Sequence, residues 1–317
     1  MWVPILTLIL GFIALVWSAD RFVSGAASTA NNLGVSKMLI GLTVVSIGTS
    51  APEILVALAA SLDGTPMLAI GNSIGSNIAN IGLVLGVTAC LRELPFSASV
   101  RRIELPWLIG ATLLALVCLV NLYLGTLDGL VLLAGLGVIM YRLMQQATKA
   151  DDVKETIAEE LDDLPSMSTV RALVWLAVGL LVLLLSANML VWAATTIAHI
   201  LGVSDLIIGL TVIAVGTSLP ELAATVGAAL RGHPDIAIGN VVGSNILNIL
   251  AVLAVPALVH PTSFAGAVMW RDFGMMLALT ALLVLFASGS RPVITRFEGA
   301  IMVVAWLGYN TLLYAQA

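Results

Sequence analysis

Long apolar segments constrain the fold of this chain more than any other feature of its sequence. Ile5–Trp17 and Leu173–Leu185 are typical, and of the 317 residues 60% are hydrophobic and 10% charged. A soluble domain carries roughly 25% charged residues, so this chain lacks the charge to cover a water-facing surface. A helix that spans a bilayer needs about 20 apolar residues. Because the runs are continuous rather than alternating, as membrane strands would be, the sequence predicts an all-α membrane protein.

The chain also contains an internal repeat. Shifted by 168 residues, Gly34–Leu91 aligns with Gly202–Val259 without a gap, with 31 identities in 58 positions. GLTVVSIGTSAPE, which ends at Glu53, matches GLTVIAVGTSLPE, which ends at Glu221. GNSIGSNIANI at 71–81 matches GNVVGSNILNI at 239–249. A repeat of this kind indicates that the two halves of the chain share one architecture.

Hydropathy predicts five membrane helices in each half. The first half has spans at 2–20, 38–62, 67–91, 104–122 and 127–145; the second has spans at 172–192, 206–230, 235–259, 272–288 and 298–315. Because five is odd, the second copy starts on the opposite side of the bilayer. We expect ten helices in two inverted repeats whose broken helices meet at the midplane. The repeats are 1–148, with its motif at 39–91, and 169–317, with its motif at 207–259.

Basic residues test this topology independently, because Lys and Arg collect on the cytoplasmic side of membrane proteins. With the N-terminus outside, 12 of the 13 basic residues lie inside and only Arg271 lies outside. We therefore expect both termini on the outer side of the membrane and an acidic linker at 149–168 in the cytoplasm. No basic stripe indicates a nucleic-acid partner, no protein partner is predicted, and the lipid bilayer is the expected surrounding.

Two carboxylates are predicted where water is absent. Glu53 and Glu221 occupy equivalent positions near the middle of the second and seventh spans. A charged side chain at the centre of a bilayer costs at least about 2.5–3.5 kcal/mol. Glu is too short to reach water from there, and no Lys or Arg stands at that depth. The missing positive charge is therefore a proton or a bound metal cation.

The residues around each Glu favour the cation. Pro52 and Pro220 lack an amide hydrogen and displace the carbonyl four residues earlier, which frees the carbonyls of Gly48 and Gly216. Non-helical backbone at membrane depth is tolerated only where it lines a cavity. Each motif thus brings carbonyls, hydroxyls and a carboxylate together within about one helical turn. Such hard oxygen ligands suit Ca²⁺ and Na⁺, whereas a soft-metal site would need Cys or His.

The second motif adds amides and hydroxyls. Ser76 and Asn80 are four residues apart, as are Ser244 and Asn248, so each pair shares a helix face. Two carboxylates neutralise one divalent cation, and several monovalent cations could use the same oxygens in its place. Competition of two ions for one site within inverted repeats indicates exchange by alternating access, because a cavity of unpaired charge resists closure. A ligand role and a helix-breaking or capping role both stay open for Asn72, Asn77, Asn240 and Asn245.

GTSxPE and GNxxGSN, each present in both halves, resemble the α-repeats of the calcium/cation antiporter superfamily, and most closely its bacterial sodium/calcium exchanger branch. The resemblance covers essentially the whole chain. It implies a secondary transporter, neither an enzyme nor dependent on a cofactor, that exchanges Ca²⁺ for Na⁺ across the bacterial inner membrane. It implies that Glu53 and Glu221 are the central Ca²⁺ ligands and that Thr49 and Thr217 contribute backbone carbonyls. It also implies that the flanking Na⁺ sites are lined by Ser46, Ser50, Ser76, Asn80, Ala214, Ser218 and Ser244.

One position departs from the family pattern. Some relatives carry Asp where this chain has Asn248, so the cavity has two acids rather than three, with Asn80 facing Asn248. The Na⁺ stoichiometry and any requirement for K⁺ therefore stay open. The proton-coupled branch usually shows GNxxE, whereas this chain has GNSIG and GNVVG, which argues against H⁺ as the coupling ion.

Other functions remain as alternatives to Na⁺/Ca²⁺ exchange. Within transport the alternative is a K⁺-dependent or H⁺-coupled exchanger, and a passive cation channel is an alternative of another class. An intramembrane hydrolase would need paired aspartates, a Ser–His pair or HExxH in mid-span, and the sequence has none there.

Overall fold

The computed structural model describes residues 2–32, 50–147, 167–232, 234–289 and 291–316, which are mostly helical. The first half contains α1 (Trp2–Asn32), α2 (Ala51–Leu62), α3 (Pro66–Leu91), β1 (Leu94–Pro95), α4 (Val100–Leu119), β2 (Tyr123–Leu124) and α5 (Thr126–Ala147). The second half contains α6 (Thr169–Leu201), α7 (Asp205–Thr217), α8 (Leu219–Arg231), α9 (Pro234–Leu247 continued by Asn248–Val252 and Ala254–Val259), β3 (Thr262–Ser263), α10 (Val268–Ser288), β4 (Val293–Ile294) and α11 (Arg296–Ala315).

The helices lie where hydropathy predicts apolar spans, with different ends. Six described helices are long and apolar enough to cross a membrane, and the bent pair α7–α8 makes a seventh. Helix α1 runs to Asn32 rather than to residue 20, and α6 covers 169–201 rather than 172–192. Helix α6 ends at Leu201, and the next residue, Gly202, has a left-handed φ of 68°, a conformation that glycine adopts without steric cost. Most of the predicted linker and the start of the span at 38–62 lie outside the described residues.

Four short strands, which an all-α prediction does not include, pair across the two halves. Strand β1 pairs antiparallel with β4, with Leu94 opposite Ile294, and β2 pairs antiparallel with β3, with Tyr123 opposite Ser263. Helix α4 connects β1 to β2, and α10 connects β3 to β4. The start of each helix therefore lies beside the end of the other. Helices α4 and α10, which the 168-residue shift aligns, run in opposite directions.

Helices α1 and α6 pack closely through glycines at equivalent positions. A Cβ added to Gly11 would lie 2.9 Å from the side chain of Leu190, and one added to Gly179 would lie 2.6 Å from the backbone nitrogen of Phe22. The shift of 168 residues aligns Gly11 with Gly179 and Phe22 with Leu190. The correspondence between the halves thus extends beyond the aligned motifs to the helices that precede them.

Buried apolar side chains form two clusters. The larger joins α3, α4, α5, α9, α10 and α11, and the smaller joins α1, α2 and α6 with parts of α3, α7 and α9. Helices α3 and α9, which carry the two GNxxGSN motifs, contribute to both clusters. The polar residues of these motifs are therefore buried inside the protein, except for Asn240, which is half-buried.

Candidate functional site

Each predicted glutamate lies in the first turn of a helix, and in the second half that helix begins just after a break. Glu53 lies in α2 and Glu221 in α8, and proline is within the first two positions of both helices. Within Asp205–Arg231, Ser218 alone leaves helical geometry, and the helix axis bends there by 43°. Ser50 precedes α2 with similar backbone angles, φ −91° and ψ 5° against −84° and 3° at Ser218. In the second half the proline therefore produces a one-residue kink, not an extended unwound stretch.

Both carboxylates are buried, and neither has a partner among the described residues. Glu53 and Glu221 are each 1% exposed, and no described residue forms a hydrogen bond or ion pair with any of their four carboxylate oxygens. The buried hydroxyls of Ser50 and Ser218 also lack partners within the described ranges. Because each unsatisfied buried polar group costs about 1–3 kcal/mol, such a cluster of acceptors is suited to a cation.

Asn72 connects the two halves at this cluster. Its Nδ2 donates to the backbone carbonyl of Glu53 at 3.4 Å. Its Oδ1 accepts from the hydroxyl of Thr217 at 3.3 Å and from that of Ser76 at 3.4 Å. The hydroxyls of Ser76 and Thr217 are 3.5 Å apart. Residues from both copies of the repeat are thus brought into one polar network.

The second copy makes different contacts at the equivalent positions. Asn240, the equivalent of Asn72, donates to the hydroxyl of Thr225 at 3.2 Å. Ser244, the equivalent of Ser76, has no partner for its Oγ among the residues that are described. The carbonyl of Ala214 accepts from the amide of Ser218 at 3.1 Å and from the hydroxyl of Thr217 at 3.3 Å. Ala214 therefore lies at the site, with its carbonyl already engaged by the protein.

Asn80 and Asn248 each begin a stretch of π-helix, Asn80–Leu85 in α3 and Asn248–Val252 in α9. Short π-helical segments inside α-helices are frequent at functional sites. The Nδ2 of Asn80 donates to Oδ1 of Asn245 at 3.0 Å, so its amide contacts Asn245 rather than Asn248. Both side-chain amide atoms of Asn248 are buried and lack partners in the described part of the chain, whereas its backbone carbonyl accepts from the hydroxyl of Ser73 at 2.6 Å.

The structure places ten of the twelve predicted site residues, all of them buried. Ser46 and Thr49 lie outside the described residues. The described residues contain no group of three or more His, Cys, Asp or Glu that could hold a metal ion, so oxygens of hydroxyls, amides and the backbone would have to supplement the two carboxylates. The ten placed residues are Ser50, Glu53, Ser76, Asn80, Ala214, Thr217, Ser218, Glu221, Ser244 and Asn248.

Sequence reasoning missed the contacts of three residues near this cluster. Asn245 had a detectable signal, because it stands in both copies of the GSN motif as Asn77 and Asn245. Ser73 and Thr225 had none, because the 168-residue shift aligns them with Val241 and Ala57. Interactions that occur in one half only cannot be found by comparing the two halves.

A third buried carboxylate differs from the two glutamates in having protein partners. The sequence placed Asp272 at the end of a span, but it lies inside α10 and is fully buried. Its Oδ1 accepts from Nε of Arg271 at 2.7 Å and from the hydroxyl of Tyr309 at 2.8 Å, and its Oδ2 accepts from Nη2 of Arg271 at 3.1 Å. A carboxylate satisfied in this way requires no further cation.

Comparison with known proteins gives a match over both halves. A family model described as sodium/calcium exchanger protein matches residues 3–145 and 171–315. CaxA of Alkalimonas amylolytica, named as a candidate antiporter, is 43% identical over 318 residues, which cover 99% of this chain and 100% of CaxA. The inner membrane protein YrbG of Escherichia coli strain K12 is 36% identical over 310 residues, which cover 97% of this chain and 95% of YrbG.

A solved structure extends the match to three dimensions. The sodium-calcium exchanger NCX_Mj, soaked with 10 mM Na⁺ and 10 mM Sr²⁺, superposes with a TM-score of 0.66 at 33% sequence identity. The superposition covers 96% of this chain and 96% of that one. The similarity in sequence and in fold therefore extends over nearly the whole molecule.

Proposed function

The chain belongs to the sodium/calcium exchanger protein family, and from this premise we propose that it is a secondary antiporter that exchanges Ca²⁺ for Na⁺ across the cell membrane. The observation that carries the proposal is the pair of buried glutamates, Glu53 and Glu221, whose carboxylate oxygens have no partner among the described residues. Their combined charge equals that of one divalent cation. A bound Ca²⁺ would offset the cost of placing both charges away from water.

The proposed ligands are oxygens of both repeats. Glu53 and Glu221 bind Ca²⁺ directly, and the backbone carbonyls of Thr49 and Thr217 complete its coordination, since Ca²⁺ takes six to eight oxygens in flexible geometry. Na⁺ ions use the same carboxylates together with neighbouring hydroxyl, amide and carbonyl oxygens. The residues proposed for the Na⁺ positions are Ser46, Ser50, Ser76, Asn80, Ala214, Ser218, Ser244 and Asn248.

We also propose ten membrane helices in two inverted repeats, 1–148 and 169–317, joined by a cytoplasmic linker at 149–168. The opposite directions of α4 and α10, fixed by the pairing of β1 with β4 and of β2 with β3, support the inversion. Broken helices that meet near the midplane are typical of transporters that work by alternating access. The distribution of basic residues supports both termini on the outer side.

Exchange rather than leakage follows from the charge of the site. An empty site holds two carboxylates without counter-charge, and closing it away from water costs several kcal/mol per charge. Ca²⁺, or Na⁺ in its place, removes that cost because the bound ions neutralise the carboxylates. Only the ion-loaded forms of the protein then switch the side of the membrane to which the site opens. Movement of Ca²⁺ in one direction therefore requires movement of Na⁺ in the other.

The test is transport by the purified protein in liposomes. We expect an imposed Na⁺ gradient alone to drive ⁴⁵Ca²⁺ uptake, and equal Na⁺ on both sides to abolish it. The same vesicles with only a K⁺ or only an H⁺ gradient test the other coupling ions. Uptake driven by either gradient in place of Na⁺, or Ca²⁺ flux without any counter-ion, would contradict the proposal.

A further inference from the structure

We propose that Asn245 is a positioning residue, whose carbonyl oxygen holds the amide of Asn80 so that Asn80 presents its oxygen to the transported cation. This inference rests on the proposed function. Both side chains are fully buried, and Nδ2 of Asn80 donates to Oδ1 of Asn245 at 3.0 Å. The other end of the Asn80 amide, Oδ1, has no hydrogen-bond partner among the residues described.

The orientation of this amide matters because its two ends have nearly the same shape and opposite polarity. The oxygen is an acceptor with two lone pairs, and the nitrogen carries two donor hydrogens. An amide that turned its NH₂ group toward a cation would repel the ion instead of binding it. A hydrogen bond that engages the NH₂ group elsewhere therefore leaves the oxygen as the free, cation-binding end.

The helices around Asn80 place these two ends in different surroundings. The π-helical segment that begins at Asn80 packs against α9, which carries Asn245, and against α8, which carries Glu221 in its first turn. The contact with α9 engages the nitrogen. The oxygen has no partner among the described residues, which leaves it free to bind a cation.

The pair that the repeat makes equivalent, Asn248 and Asn77, has no such contact among the described residues. The shift of 168 residues pairs Asn248 with Asn77 in the way that it pairs Asn80 with Asn245. The Nδ2 of Asn77, however, donates to the backbone carbonyl of Ser73 in its own helix at 2.8 Å. Neither amide atom of Asn248, nor the Oδ1 of Asn77, has a partner in the described chain. Positioning by a neighbouring amide therefore operates on Asn80 and not on Asn248.

The experiment compares near-isosteric variants of Asn245 in the full-length protein in detergent. Thermal stabilisation by Ca²⁺, and separately by Na⁺, gives the half-saturating concentration of each ion. Asn245→Leu removes the acceptor, and we expect it to raise the half-saturating Ca²⁺ concentration about tenfold, the effect of one net hydrogen bond. Asn245→Asp keeps an acceptor for Nδ2 of Asn80, and we expect an affinity within about threefold of the wild type, because that one bond is retained.

Two further sets of variants separate positioning from other effects. In an Asn80→Ala background, Asn245→Leu should cause no additional loss, because two residues that act through one contact are not additive. The same background tests whether Asn245→Asp acts through its own charge, since a charge effect would persist without Asn80. Asn310→Leu is the matched control, because Nδ2 of Asn310 donates to the carbonyl of Trp306 in its own helix at 2.8 Å, and it should leave the Ca²⁺ affinity unchanged. Asn245→Ala, which also removes the acceptor without adding apolar bulk, replaces Asn245→Leu should that variant not fold.

The outcomes distinguish this inference from the proposed function. Wild-type protein that neither Ca²⁺ nor Na⁺ stabilises would overturn the proposed function and this inference with it. Given a stabilised wild type, equal losses in Asn245→Leu and Asn245→Asp would make Asn245 a packing residue. Two other results would overturn the positioning role and leave the proposed function intact. One is a loss of Ca²⁺ affinity in the Asn80→Ala, Asn245→Leu double variant that equals the product of the two single losses. The other is wild-type Ca²⁺ affinity in Asn245→Leu.

Discussion

In the first half of the molecule, Asn80 has its amide nitrogen held by Asn245 at 3.0 Å; in the second half, neither amide atom of the equivalent Asn248 has a partner within the described residues. The same contrast holds about two turns earlier in each helix. Asn72 binds the hydroxyl of Thr217 in the other repeat, whereas Asn240 binds Thr225 in the helix that precedes it.

The difference shows which features a duplicated site must keep. Both halves have a proline at the start of a helix, the buried glutamate in its first turn, and the π-helical segment that starts at an asparagine. These features determine where charge and oxygen ligands lie along the helices. The contacts between side chains differ, because each depends on a single neighbour such as Ser73, which is Val241 in the other copy. We therefore expect equivalent carboxylates to be equally necessary and equivalent asparagines to be unequal.

The largest expected effect is on the carboxylates. Glu53→Gln and Glu221→Gln each remove one of the two negative charges that offset Ca²⁺, and we expect each to lower Na⁺-driven Ca²⁺ uptake by at least about 100-fold, as the loss of a close charge pair does. The measurement is ⁴⁵Ca²⁺ uptake into liposomes at equal protein density. If one variant kept wild-type activity while the other lost it, the two halves would not share the charge equally.

A matched control for these variants is the exposed carboxylate of Asp63, in the turn that follows α2. Asp63→Asn also removes one negative charge but leaves the buried site intact. Uptake should stay within about twofold of the wild type, because exposed charges away from a site have small effects. Equal losses in this variant and in the glutamate variants would indicate a general effect of net charge.

The second prediction concerns the asparagines. Asn248→Asp adds a third carboxylate at a side chain that has no hydrogen bond to lose within the described chain, and we expect the Na⁺ concentration for half-maximal uptake to shift by about tenfold. Asn80→Asp removes the donor that Asn245 accepts from, so we expect it to lower thermal stability more than Asn248→Asp does. The same Na⁺ titration on both variants, with melting curves, checks the comparison. An unchanged Na⁺ dependence in Asn248→Asp would count against its place in the site.

Much of the fold could be predicted because hydropathy and repetition are strong signals in a membrane protein. A bilayer requires long apolar helices, and a proline in such a helix breaks it at a known distance from the ring. The break before Glu221 and the burial of both glutamates follow from these rules. The helix ends were less predictable, since α1 and α6 continue past their apolar segments and polar residues such as Asp20 and Arg21 do not end a helix.

The contacts within the site could be predicted only in part. Helical spacing places Ser76 and Asn80 on one face, but it cannot show that Asn80 would bind Asn245, which is 165 residues away in sequence. The partner of Asp272 was equally hidden, because Tyr309 lies 37 residues further along the chain. Such contacts depend on how helices pack against each other, which the period of a single helix does not contain.

The third prediction uses the hydrogen bond between Tyr309 and Asp272, which among the described residues occurs in the second half only. The 168-residue shift aligns Tyr309 with Tyr141 and Asp272 with Glu104, but Arg271 with Ile103. Tyr309 is buried and donates to Asp272, whereas Tyr141 is 61% exposed. Tyr309→Phe should lower the free energy of unfolding by about 1.5 kcal/mol, the value of a hydrogen bond to a charged group. Tyr141→Phe should change it by less than about 0.5 kcal/mol, and denaturant titration in detergent compares them. If both variants changed the free energy of unfolding equally, the hydrogen bond from Tyr309 to Asp272 would not contribute to stability.

The smallest expected effect is that of Ser73, whose hydroxyl binds the carbonyl of Asn248 in the other repeat at 2.6 Å. That carbonyl also accepts from the amide of Leu253 at 3.1 Å, so Ser73→Ala does not leave it unsatisfied. We therefore expect a loss of about 1 kcal/mol in the free energy of unfolding, at the ordinary value of a neutral hydrogen bond.

Ser61→Ala is the control for Ser73→Ala, because Ser61 is equally buried and binds a carbonyl of its own helix, that of Ala57, at 2.7 Å. Both variants lose one hydroxyl, but only Ser73→Ala loses a bond between the repeats. Half-saturating Na⁺ should therefore change in Ser73→Ala, where the start of the π-helical segment at Asn248 is released, and stay constant in Ser61→Ala. If both variants lost stability equally and neither altered the Na⁺ dependence, the hydrogen bond from Ser73 to Asn248 would have a structural role only. The difference between Asn80 and Asn248 would then depend on Asn245 alone.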